Sequence, residues 1–162
     1  MLRSDYTGQT CSIARSLELV GERWTLLIIR DAFLGLRRFE QIQESLGIAT
    51  NVLTTRLRLL RDEGMLDRVP DPERPGRPKY VLTDKGRDFY PVLAAMAAWG
   101  DRHVYGGAGG PVCFTHKACG ARFSPRLTCE ACGEAVTPAD LARMEGAGQT
   151  TVAEALTGRQ PH

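Results

Sequence analysis

The 162-residue chain contains no hydrophobic run near the ~20 residues that a bilayer-spanning helix requires, so no transmembrane segment is expected. Its opening residues, MLRSDYTGQTCS, lack the apolar stretch of a secretory signal, and a cytoplasmic protein is expected. Cysteine is sparse. The five present are too few and too clustered for a secreted disulfide scaffold, and in a reducing compartment paired Cys-x₂-Cys spacing points to metal. An excess of either charge is nearly absent, 21 basic residues against 19 acidic giving a net of +2, which says little about partners. Lysine is also rare, since 18 of the 21 basic residues are arginine. Arginine forks suit phosphate and guanine, but codon bias gives the same enrichment, so global charge decides nothing. The length suits one medium domain, or a domain of about 100 residues with an appendage.

The apolar spacing then supplies the elements. Residues 1–10 read as a polar arm. Ile13, Leu17 and Val20 recur as one helix face until Gly21, and ERWTLLIIRDAFLG starts a second, core-forming helix around Trp24, Leu27, Ile28 and Phe33. RRFEQIQESLG predicts a short third helix with Phe39, Ile42 and Leu46 inward. NVLTTRLRLLRDEG predicts a fourth, with Thr50 or Asn51 as its cap, a Leu53, Leu57, Leu60 stripe and a stop at Gly64. Segments 65–69 and 79–82 bracket a tip with four prolines and a glycine, as in a β-hairpin with a stiff loop. Thr83 caps one long last helix that Pro91 should bend. GGAGG at 106–110 is a linker, 111–145 a compact extension, and 146–162 a polar tail with one helical turn at VAEAL. The fold class is therefore mainly α with a small β-hairpin: a winged helix-turn-helix over 11–105, followed by a small zinc ribbon-like segment.

On a helical wheel, Asn51, Thr55 and Arg58 oppose the leucine stripe of the fourth helix, with Thr54 beside them and Thr50 at its start. Asn and Arg can read adenine and guanine edges, and Thr can meet a phosphate or a thymine methyl. A solvated helix surface is the plain alternative for any one of them. The hairpin tip adds Arg74, Arg77 and Lys79 among prolines, a basic finger for a backbone or minor groove, though Asp71 and Glu73 dilute it. Arg37 and Arg38 stand where such folds straddle a phosphate strand.

The stretch CSIARSLELVGERWTLLIIRDAFLGLRRFEQIQESLGIATNVLTTRLRLLRDEGMLDRV, with GRPKYVLTDKGRDFYPVLAAMAAWGDRH, resembles the HxlR-type winged helix-turn-helix regulators of bacteria over roughly residues 11–104. The resemblance implies a transcriptional regulator that binds double-stranded DNA. It further implies a homodimer built on the first and last helices, two recognition helices one DNA turn apart, and a palindromic operator. It also accounts for the apolar excess around Met96 and Trp99. A small-molecule effector or an oxidant is compatible with it, because some relatives sense oxidants through a cysteine where Cys11 stands. A small buried cysteine at a helix start is the plainer reading of Cys11.

HKACGARFSPRLTCEACG, residues 116–133, holds two half-sites for a tetrahedral Zn²⁺. Cys113, His116 and Cys119 offer three candidates in the first half. Cys119 and Cys132 are each followed by glycine, so they match as second ligands, with His116 and Cys129 as first ligands and Cys113 as a substitute. A metal-free or disulfide-linked hairpin is the alternative. Four protein ligands leave no open position for catalysis, and Glu130 and Glu134 lack the spacing of a hydrolase or deaminase signature. The 57 residues after Tyr105 carry no glycine-rich cofactor loop, so no enzyme is expected. A protein-interaction module of a transcription complex is the second functional reading.

Overall fold

A computed structural model describes residues 6, 9–106 and 109–142. Most of the predicted arm and the whole tail from 146, VAEAL included, lie outside them. The chain divides into two compact units, the first ending at Asp88 and the second beginning at Phe89.

The first unit runs α1 (Ser12–Val20), α2 (Arg23–Phe33), α3 (Phe39–Leu46), α4 (Thr50–Asp62), β1 (Leu66–Pro70), β2 (Pro78–Leu82) and α5 (Asp84–Asp88). Helix α2 starts where the Glu22 carboxylate accepts from the Trp24 amide at 3.0 Å. It packs against α1, α3, α4 and β2. Ile28 and Ile29 of α2, Ile42 of α3, Leu53, Leu57 and Leu60 of α4, Met65 ahead of the hairpin and Leu66 at the start of β1 form the core. Each such side chain contributes about 1.5–3 kcal/mol of burial, an upper bound because unfolded chains already hide some surface. Glycines end the helices that the turn motif needs ended. Gly47 at φ 61° closes α3 and Gly64 at φ 67° follows α4, both in the left-handed region that side chains with a Cβ avoid.

The hairpin is antiparallel and runs from Leu66 opposite Leu82 to Pro70 opposite Pro78. Proline at both strand ends next to the loop costs no ladder bond that the interior needs. The segment before α3 adds to this sheet: the Tyr80 amide donates to the Arg37 carbonyl at 2.7 Å, and Arg38 forms a bridge with Lys79. The start of the helix-turn-helix is thereby fixed to the wing.

Two expectations are corrected. Ala49, not Thr50 or Asn51, caps α4; the Thr50 hydroxyl is instead the acceptor for the Gln43 side chain at 2.9 Å. The long last helix is not one bent rod but two helices, with a turn at Phe89 between them. Pro91 stands at the start of the second, where its missing N–H is not required. The expected Thr83 cap is present, its hydroxyl accepting from the Gly86 amide at 3.0 Å.

The second unit contains α6 (Tyr90–His103), a short 3₁₀ turn at Pro138–Asp140 and two small turns between them. Tyr90 stacks with Phe123 at 6.4 Å, and Arg122 faces Asp101 at 3.6 Å. None of its described residues is buried. A segment this short has too little surface to enclose a core.

Candidate nucleic-acid interface

Helix α4 is amphipathic in the way the interface needs. Leu53, Leu57 and Leu60 are buried, whereas Asn51, Thr54, Thr55 and Arg58 are exposed. The structure therefore gathers four of the sequence-derived candidates on one open face. The two threonine hydroxyls are used locally: Thr54 donates to the Thr50 carbonyl at 2.7 Å and Thr55 to the Asn51 carbonyl at 2.9 Å. Thr50 is exposed at the first turn.

The wing is less free than its sequence suggests. Arg38 Nε donates to the Asp71 carboxylate at 2.6 Å, and a second nitrogen of the same guanidinium reaches Glu73. The Asp71 side chain is only 2% exposed, so this pair is a fixed joint between α3 and the wing. The Arg38 guanidinium holds the Asp71 carboxyl below its ordinary range, and the Glu73 amide adds to the effect. On the open side, Arg77 donates to Glu40 at 2.7 Å and Arg74 stands 4.0 Å from the same carboxylate. Glu40 is kept below its ordinary value first by its own backbone amide at the start of α3 and then by Arg77 and Arg74. Arg37 is exposed and Lys79 half-buried. The loop of the wing encloses a groove of roughly 440 Å³ lined by Arg68, Asp71, Gly76 and Arg77 among others.

Several positions that shape this surface carried no sequence signal. Arg56 reaches Glu22 at 3.2 Å, so the residue that caps α2 also holds α4 from the side. Arg68 of β1 is exposed beside the wing loop. Strand alternation places Arg68 on the face of the buried Leu66, so spacing alone would have turned it inward.

In the second unit, the two halves of the Cys-rich segment are copies of each other. The Gly120 amide donates to the His116 carbonyl at 2.8 Å, and the Gly133 amide to the Cys129 carbonyl at 2.8 Å. His116 donates to Ala121 at 2.8 Å, and Cys129 to Glu134 at 2.9 Å. Thr115 bridges Arg122, and Thr128 bridges Ala135. Gly120 and Gly133 have φ 69° and 75°, as the predicted sharp turns require. Within the first turn, His116 Nδ1 lies 3.3 Å from Cys119 Sγ. In the second, backbone amides of Cys132 and Ala131, then the Cys132 side chain, hold the Cys129 thiol below its ordinary value. The structure forms both predicted turns. Among the described residues, no three His, Cys, Asp or Glu side chains stand close enough to share an ion. All five cysteines are free thiols; Cys113 is exposed ahead of the first turn, and Cys11 is exposed at the N-cap of α1 rather than buried.

A short helix, a tight turn, a core-anchored amphipathic helix and a basic hairpin together define a winged helix-turn-helix protein. The HxlR-like helix-turn-helix family model matches residues 19–106, more than half of the chain, and the protein belongs to that family of transcriptional regulators. It is 44% identical over 137 residues to Rv3095, an uncharacterized HTH-type transcriptional regulator of Mycobacterium tuberculosis, covering 85% of this chain and 87% of that one. The crystal structure of the candidate transcription factor PA1607 matches with a TM-score of 0.77 at 33% identity, covering 87% of this chain and 99% of that chain. The redox regulator HypR in its oxidized form matches over 57% of this chain and 97% of its own, with a TM-score of 0.52 at 27% identity. No helix among the described residues is long and apolar enough to cross a membrane.

Proposed function

We propose that this protein is a homodimeric, sequence-specific regulator of transcription that binds a palindromic operator. The observation that carries the reading is the α4 surface, where Asn51, Thr54, Thr55 and Arg58 are exposed opposite three buried leucines. In this reading α4 enters the major groove, Asn51 and Arg58 read base edges, and the wing follows the flanking backbone. The dimer is supported by apolar side chains that each unit leaves open. Ile13 and Leu17 of α1 are exposed, and so are Val92, Met96 and Trp99 of α6. Such surface on two helices suits burial by a second copy. An effector is part of the proposal: a small molecule, or an oxidant that would meet the exposed Cys11 thiol.

Footprinting on the protein's own upstream region, followed by titration of Arg58→Ala, tests this reading. The variant should lose about 1–3 kcal/mol of binding and relax preference at one position in each half-site. If the wild type retards no DNA even at low salt, the reading fails, and a docking module of a transcription complex takes its place.

We propose further that the extension is a structural zinc staple. His116, Cys119, Cys129 and Cys132 supply an N/S donor set, and the two turns that carry them share three backbone bonds and a bridge at matching positions. Such residues fit zinc, and the metal would draw two preformed turns together in a segment with no buried residue of its own. Cys113 is the substitute ligand.

A further inference from the structure

The wing is held to α3 by two acidic contacts of opposite character. In the first, Arg38 meets Asp71 and Glu73, and the Asp71 side chain is 2% exposed. In the second, Glu40 meets Arg77 and Arg74, and the three side chains are 51%, 68% and 47% exposed. A pair closed off from water is a joint, because breaking it strands a buried charge. A pair open to water is weakly held and exchanges partners readily. The loop between the contacts is stiff: the Arg74 amide donates to the Asp71 carbonyl and the Arg77 amide to the Arg74 carbonyl, both at 3.0 Å. Arg74 and Arg77 therefore project from a rigid turn toward a single carboxylate that cannot neutralise both.

We propose that Glu40 is an electrostatic brake on the wing, occupying Arg77 and Arg74 until DNA phosphate displaces it, and that Arg38 positions the wing through Asp71 without contacting DNA. The inference rests on the DNA-binding reading above and assigns the control of that same surface. A phosphate diester and a carboxylate compete for the same guanidinium forks. In the free protein Glu40 is the anion in reach. On DNA the phosphates outnumber it, and their counterions are released when the arginines change partner. The brake lowers what the wing arginines gain from any phosphate, so a larger share of the affinity falls on α4.

The experiment measures affinity for the footprinted operator, as a function of salt, for the full chain and its variants. Glu40→Gln keeps the side-chain shape and should bind roughly two- to tenfold tighter at low salt. Its log K against log salt slope should be steeper by up to about one, because the wing then presents one more uncompensated positive charge to the phosphates. The gain should vanish in an Arg74→Ala, Arg77→Ala background. Arg38→Gln should weaken binding with an unchanged slope. Asp71→Asn should do the same, and it serves if Arg38→Gln does not fold. If Glu40→Gln matches a wild type that binds well, the brake is overturned while the DNA reading stands. A gain that persists without the two arginines also overturns it. A slope lowered by about one in Arg38→Gln makes Arg38 a phosphate contact and overturns the positioning role. A wild type that binds no DNA overturns both readings.

Discussion

Replacing Gly86 with alanine would test how closely the wing is docked on the helix that follows it. Gly86 is buried in α5, and a Cβ placed there would lie 2.1 Å from the Met65 carbonyl oxygen and 3.0 Å from Leu82 Cδ2. Real Cβ contacts do not fall below 3.0 Å, so the backbone at Met65 and α5 must separate by about 0.9 Å (3.0 against 2.1). That carbonyl is not free to move alone. It accepts from the Thr83 amide at 3.2 Å, while the Thr83 hydroxyl donates to the adjacent Gly64 carbonyl at 2.6 Å. Overpacking costs about 1–3 kcal/mol, and a backbone neighbour places the cost at the upper end. Alanine in a helix recovers up to about 1 kcal/mol. The net expectation is a loss of about 2 kcal/mol, a shift of about 1 M in the urea midpoint at a typical slope. Trp24 in α2 reports on this unit, and Trp99→Phe removes the only other tryptophan. Gly100→Ala is the control, because a Cβ there meets nothing within 4 Å and α6 should gain about 0.5–1 kcal/mol. A Gly86→Ala protein as stable as wild type would refute the close packing of α5 on the wing.

Two further outcomes are expected. Freshly purified protein should carry one zinc per chain, with Cys11 and Cys113 open to a thiol reagent and Cys119, Cys129 and Cys132 reacting only after chelation; zinc below a few tenths of an equivalent would sink the staple. Because Asp71 is held below its ordinary value of 3.8 by Arg38, its contribution to stability is full above that value and lost as pH falls through the lower folded-state value. Thermal melting between pH 5 and 2, a range of about three units around that window, should be less acid-dependent in Asp71→Asn than in wild type.

The exposed polar face of α4 was legible from residue spacing alone, because a helix buried on one side sorts its residues by period and Leu53, Leu57 and Leu60 leave no ambiguity. The glycine stops at Gly47 and Gly64 were legible because their left-handed backbone is rare for other residues. The partner of Arg38 was not. A cation at a helix start looks the same whether it faces phosphate or an aspartate 33 residues away, and only the hairpin register brings Asp71 to it. The cap of α4 failed for a similar reason. Thr50 has the chemistry of a cap, but Gln43 across the turn takes its hydroxyl, and the backbone begins the helix one residue earlier. The division of the last helix at Phe89 was half legible. Pro91 announced an interruption, but a proline is equally content inside the first turn of a new helix. For the Cys-rich segment, both turns followed from the two Cys-Gly pairs; whether they meet is set by long-range closure, to which local spacing is blind.

The bonds from Thr54 and Thr55 back to their own helix commit each hydroxyl proton to a backbone carbonyl, so on these exposed residues the methyl is the group left for an outside contact. On DNA that would give two adjacent positions of the recognition helix an oily contact suited to the 5-methyl of thymine. Cytosine methylated at the same carbon presents the same group in the same groove. If α4 enters the groove as proposed, an operator methylated at a cytosine beneath Thr54 or Thr55 should bind more tightly than the unmodified one, a difference that a gel shift with the two operators reads.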